Sequence, residues 1–161
     1  MTEKLIKSKQ RVKDFAEVYT PSWIVKDMLD LIPDITIDKT FLEPSCGNGA
    51  FITEILRRKF DLCKTKKDYI RAIESVYGIE IQFDNCLECR QRIKDLYVSY
   101  GQKLTKDIEL LVDKHIIHGD ALAIMELLAK DNEDKVNIIV TRKLEEMLKV
   151  KIELEKECGL R

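Results

Sequence analysis

The sequence predicts an α/β fold in which a mostly parallel sheet of about four strands is flanked by helices. Two observations predict it. Short apolar runs that end in turn residues alternate with longer stretches of helical periodicity. One of those runs also ends in a glycine-rich bend that leads straight into a helix: Phe41-Leu42-Glu43-Pro44-Ser45-Cys46-Gly47-Asn48-Gly49-Ala50-Phe51. This is the strand–turn–helix pattern of a nucleotide-type ligand site. Glycine lets the backbone bend sharply and approach a ligand because no Cβ intervenes.

Residues 1–14 read as a polar, basic lead-in. A helix begins near Pro21, with Thr20 as cap and Pro21 at the first helical position. Ile24, Met28, Leu29, Leu31 and Ile32 form its apolar stripe, and Pro33 ends it. Asp34 to Lys39 is a link, and Thr40–Glu43 reads as a buried strand. A helix over residues 49–60 follows the glycine bend. The basic segment Cys63–Asp68 is the expected flexible loop, and Tyr69–Ser75 a short helix. Val76–Ile81 is the second strand, and Phe83–Tyr100 a helix with Cys86, Leu87, Ile93, Leu96 and Tyr97 as its apolar positions, broken at Gly101. Asp107–Leu111 is a short helix. His115–His118 is the third strand, closed by Gly119-Asp120, and Ala121–Lys130 is helical. Asp131–Asp134 is a turn and Val136–Val140 the fourth strand. Thr141 onward has no strand pattern, and 142–161 reads as a charged helix.

Composition sets bounds. The 161 residues are 45% hydrophobic and 35% charged with a net charge of −1, so total charge makes no case for nucleic-acid binding. Local charge does more: Lys4, Lys7, Lys9, Arg11 and Lys13 form one basic cluster, and Arg57, Arg58, Lys59, Lys64, Lys66 and Lys67 another. Each can be read as a phosphate contact or as a solvated face. No apolar run is long enough to span a membrane and no signal peptide is visible, so no membrane partner is expected. The five cysteines, an odd number with no secreted framework, read as reduced thiols in a cytoplasm. Cys86-x-x-Cys89 stands alone on a helix and cannot supply a zinc site. His115 and His118 fall on opposite faces of a strand, which excludes them as a metal pair. Trp23 is expected to pack the first helix.

Four local patterns occur in a consistent order: Glu17-Val18-Tyr19-Thr20-Pro21, then Glu43-Pro44-Ser45-Cys46-Gly47-Asn48-Gly49-Ala50-Phe51, then Gly78-Ile79-Glu80-Ile81, then His118-Gly119-Asp120-Ala121-Leu122. Together they resemble the adenine-N6 DNA methyltransferases of restriction–modification systems, which bind S-adenosylmethionine. The resemblance covers residues 15–141 and implies a partial Rossmann-like methyltransferase fold. It places Tyr19, Thr20 and Pro21 against the methionine end of the cofactor, and Glu43, beside Pro44, near its amino group. Cys46, Gly47 and Gly49 would present backbone groups along the ligand, with Phe51 closing the motif. Glu80 would take both ribose hydroxyls, since a carboxylate offers two acceptor oxygens. Ile81 would pack on the adenine face. Asp120, followed by Ala121, would accept from the adenine amino group.

The family's catalytic motif, Asn/Asp-Pro-Pro-Tyr/Phe, holds and stacks the target adenine after the fourth strand. It does not occur here: the only prolines are Pro21, Pro33 and Pro44. Arg142, which follows the expected fourth strand, only donates hydrogen bonds and cannot replace an acceptor. The expectation is therefore the truncated cofactor-binding part of such an enzyme, inactive alone. Its partners would be DNA through a separate recognition domain, and a second methyltransferase subunit or a second copy. Two readings stay open beside it: a non-catalytic interaction or regulatory protein that pairs with a methyltransferase subunit, and a methyltransferase of another type.

Overall fold

The computed structural model describes residues 5–15 and 17–130. Among them the elements run α1 (Lys9–Phe15), α2 (Ser22–Asp30), β1 (Phe41–Glu43), α3 (Ala50–Phe60), α4 (Lys66–Glu74), β2 (Val76–Glu80), α5 (Phe83–Ser99), α6 (Lys106–His115), β3 (Ile116–His118) and α7 (Ala121–Lys130). One compact unit ends at His118 and a second begins at Gly119, with α7 as its described part. The expected strand Val136–Val140 and the expected helix 142–161 lie outside the described residues.

The described sheet has the order β1-β2-β3, all parallel. Phe41 pairs with Val76 and Glu43 with Gly78; Gly78 pairs in turn with Ile116, and Glu80 with His118. Parallel pairing brings the carboxyl ends of all three strands to one edge, the edge where open α/β sheets bind ligands. Glu80 therefore projects two positions past the level of Glu43, roughly 7 Å further along the strand direction. β1 is less buried than its apolar residues imply: it pairs only with β2 among the described residues, and Leu42 is half exposed.

Burial on one face drives the helices. α3 buries Ile52, Ile55, Leu56 and Phe60, and α5 buries Cys86, Cys89, Ile93 and Tyr97 at the spacing of a single stripe, while Leu87 faces out. Each fully buried aliphatic or aromatic side chain contributes about 1.5–3 kcal/mol. Phe60 meets Tyr69, Tyr97 and Tyr100 edge-on, with ring centroids 5.1, 6.2 and 5.4 Å apart, and locks α3 to α4 and α5.

Several elements differ from the sequence reading. The lead-in contains α1, whose Arg11 N–H donates to the Ser8 hydroxyl at 3.1 Å. In α2 the buried positions are Val25 and Leu29, and Trp23, Met28 and Leu31 are exposed; Pro21 caps the helix from outside and Ser22 opens it. Lys66 and Lys67 are not loop. They form the first turn of α4, which Thr65 and Asp68 start with a reciprocal capping box. The short helix expected over 107–111 extends to His115, which is therefore the end of α6 and not the start of a strand. Its ring is buried 4.5 Å from that of Tyr77, and its Nδ1 lies 3.2 Å from the Val76 carbonyl oxygen.

Candidate functional site

The bend between β1 and α3 is built on backbone that only glycine adopts readily. Gly47 has φ +53 and Gly49 has φ +86. Cys46 N–H donates to Ile79 O at 3.0 Å, which continues the β1–β2 ladder past Glu43, and Gly49 N–H closes the turn on Cys46 O at 2.8 Å. A Cβ on Gly49 would fall 2.5 Å from Cys89 Sγ. Gly49 is thus required twice, by its dihedral and by the close approach of α5. Cys46 is buried beside Cys89, and the hydrogen bond to Cys89 together with burial pushes its thiol well above the ordinary range. Both Cys86 and Cys89 are fully buried and pack in the core.

Glu80 ties the second strand to this bend. Its Oε2 accepts from Gly47 N–H at 2.7 Å and its Oε1 accepts from Gln82 N–H at 2.7 Å. The carboxylate is buried, yet each oxygen still has a lone pair unspent. Glu43, at the end of β1, is half-buried. Burial pushes its carboxyl above the ordinary range, opposed by an N–H bond from Ser45 at 3.3 Å. No cation pairs with it among the described residues. A half-desolvated carboxylate without a counter-charge favours a cationic ligand.

Tyr19 covers the bend from the other side. A Cβ on Gly47 would lie 3.8 Å from Cδ1 and Cε1 of the Tyr19 ring. Tyr19 N–H donates to Leu5 O at 2.8 Å, so the chain on both sides of α1 returns to one point. The segment is pinned to α5: Lys7 Nζ donates to Asp84 at 2.8 Å and meets Glu88 at 2.9 Å, and Arg11 bridges Asp84 and Glu17, each at 2.5 Å. Burial alone would lower the Lys7 pKa, but the Asp84 and Glu88 carboxylates outweigh it and hold the ammonium above its usual value. Arg11 and then Lys7 hold the Asp84 carboxyl well below the carboxylate range. Burial pushes the Tyr19 phenol up to about 12.

The structure thus gathers Tyr19, Cys46, Gly47, Gly49 and Glu80 around one bend, with Glu43 and Pro44 on the strand end that enters it. The rest of the predicted set is placed as follows. Ile81 follows β2 and is more than half exposed. Thr20 lines a cavity of about 480 Å³ with Tyr19, Asn48, Thr53, Glu88 and Arg92. Pro21 is the residue that caps α2. Phe51 faces a second cavity of about 240 Å³ with Met28, Leu29, Phe41, Leu42 and Glu43. Asp120 and Ala121 open the second unit, where the Asp120 carboxylate accepts from Leu122 N–H at 2.9 Å and caps α7. Its second oxygen makes no bond among the described residues.

Sequence reasoning missed Asn85, Glu88 and Arg92. Asn85 is buried under Tyr19; Glu88 accepts from Asn48 Nδ2 at 3.1 Å; Arg92 donates to Asn48 O at 3.0 Å. Their spacing on α5 puts Glu88 and Arg92 on one face, four residues apart, but nothing local ties that face to the bend. Five residues of the two basic clusters are engaged inside the protein. Lys7 and Arg11 are spent on α5. Arg57 pairs with Glu54 and Asp61, and Arg58 with Glu54 and Asp30. Lys59 is wholly buried.

No family model matches the chain, and no solved structure does. Over 78 residues, 48% of the chain, it is 32% identical to the type II methyltransferase M.VspI of Vibrio sp. (strain 343). The match spans 16% of that protein's length. No helix among the described residues is long and apolar enough to cross a membrane. The similarity supports a methyltransferase relationship for the matched part of this chain.

Proposed function

We propose that this chain carries the S-adenosylmethionine-binding part of an adenine-N6 DNA methyltransferase of a restriction–modification system. One observation supports the reading above the others: the buried Glu80 carboxylate, at the carboxyl end of β2, is hydrogen-bonded to the amide of Gly47 and keeps acceptor capacity on both oxygens. That is the chemistry a ribose diol needs. Glu43 supplies an unpaired carboxylate for the ammonium group of the amino-acid end, and the Tyr19 ring walls the bend. Ile81 offers apolar surface to the adenine. S-adenosylmethionine would supply an activated methyl group on a sulfonium centre.

The 161 residues contain no Asn-Pro-Pro-Tyr, so the proposed competence of this chain is cofactor binding without methyl transfer. DNA recognition and the acceptor motif would come from another segment or subunit. Titration calorimetry with S-adenosylmethionine, or with its demethylated product, tests the assignment. Glu80→Ala should abolish the heat of binding. Heat unaffected by that change refutes the site.

A further inference from the structure

Under the Tyr19 ring the polar groups of the N-terminal segment and of the first turn of α5 converge on one buried amide. Asn85 is 1% exposed. Its Oδ1 accepts from Lys7 Nζ at 2.6 Å and from the Tyr19 hydroxyl at 2.8 Å, and its Nδ2 donates to Glu17 Oε2 at 2.8 Å. The orientation of the amide follows from its neighbours: an ammonium only donates and a carboxylate only accepts, so the oxygen must face Lys7 and the nitrogen Glu17. Arg11 fixes Glu17 in turn, through bonds from Nε at 3.0 Å and from its terminal nitrogen at 2.5 Å. An amide offers an acceptor on one side and a donor on the other without changing its protonation state. The ring whose hydroxyl it holds is the one that lies against Gly47.

On the cofactor-binding reading above, we infer that Asn85 is a positioning residue of the candidate site. It fixes the Tyr19 ring over the Gly47 bend and so shapes the wall on which the ligand rests, without touching the ligand itself.

A double-mutant cycle tests this. Asn85→Ala and Tyr19→Phe should each weaken S-adenosylmethionine binding about tenfold, the worth of one hydrogen bond to a buried group. The double variant should also lose only about tenfold, because both changes remove the same link. An additive loss, or unchanged affinity in Asn85→Ala, overturns the inference. Asn85→Asp adds a pH signature. The introduced carboxyl faces Lys7 and Tyr19 on one side and Glu17 on the other, with Arg11, Asp84 and Glu88 around it. Ionised, it repels Glu17; protonated, it donates to Glu17 as the amide does. Affinity relative to the parent protein should therefore recover as pH falls, and a flat ratio contradicts the role.

If the parent protein gives no heat with S-adenosylmethionine, the cofactor reading fails and the ring placement is read without ligand. The Gly47 Hα resonances carry a ring-current shift from Tyr19. In Asn85→Ala they should move to their positions in Tyr19→Ala. Resonances that stay where they are in the parent protein overturn the positioning role.

Discussion

Glu43 and Lys59 show how single buried charges report on function and on stability. Burial raises the Glu43 pKa above its ordinary 4.5, so at neutral pH the folded protein holds an ionised carboxylate that it disfavours. A bound ammonium relieves that cost and draws the pKa back down. Affinity for S-adenosylmethionine should therefore rise with pH through the range just above 4.5 and level off once Glu43 is ionised. Calorimetry across that range should show the rise in the parent protein and none in Glu43→Gln. Lys59 carries the opposite sign. Its ammonium donates to Ile37 O at 3.0 Å, to Lys39 O and to Ser75 Oγ at 2.5 Å, yet burial pushes its pKa down from 10.5 to about 8. Between those two values the unfolded chain binds more protons than the folded one, so folding stability should increase with pH across that window. Urea unfolding at pH 8 and pH 10 should show the parent protein gaining stability relative to Lys59→Met as pH rises; the buried Cys46 and Cys63 thiols act in the opposite direction in both proteins and cancel in the difference.

At the scale of elements, the bend and helix α5 form one packed unit. Gly49→Ala would force a Cβ into left-handed backbone and against Cys89, at a cost of roughly 2–4 kcal/mol. An unfolding free energy from denaturant titration lowered by that amount checks it, and an unchanged value contradicts the packing described for the bend. The bend was legible in the sequence because its signals are local: two glycines, a proline and an apolar run fall within a few residues of each other. Helix α5 was legible for the same reason, through Cys86, Ile93, Leu96 and Tyr97, although Leu87, read with them, faces out and Cys89 takes a buried place. The start of α4 was equally local, since Thr65-Lys66-Lys67-Asp68 is a capping box, but its lysines drew attention to charge before capping. The face of α2 was misjudged because Ile24, Met28 and Leu31 are as apolar as Val25 and Leu29, and only tertiary packing selects the buried pair. Asn85 was out of reach: an asparagine in the first turn of a helix reads as a local cap, and its true partners lie 66 to 78 residues away.

At the scale of the molecule, five of the basic residues that a sequence reading offers to phosphates, Lys7, Arg11, Arg57, Arg58 and Lys59, are engaged inside the protein. Lys7 and Arg11 fasten the N-terminal segment to α5, and Arg57 and Arg58 neutralise Glu54, whose carboxyl Arg57 and then Arg58 pull down to about 2. These charges thus hold the N-terminal segment, and with it Tyr19, against α5. Methyl transfer to duplex DNA by the purified chain with labelled S-adenosylmethionine should be undetectable, and turnover would contradict the division of labour proposed above. Binding should still raise the melting temperature, because ligand at a hundred times its dissociation constant adds about 2.7 kcal/mol of stability. Equilibrium dialysis of the purified chain against labelled S-adenosylmethionine tests the central claim most directly. Saturable retention, competed away by the demethylated product and lost in Glu80→Ala, is the predicted result. No retention at millimolar cofactor would contradict it.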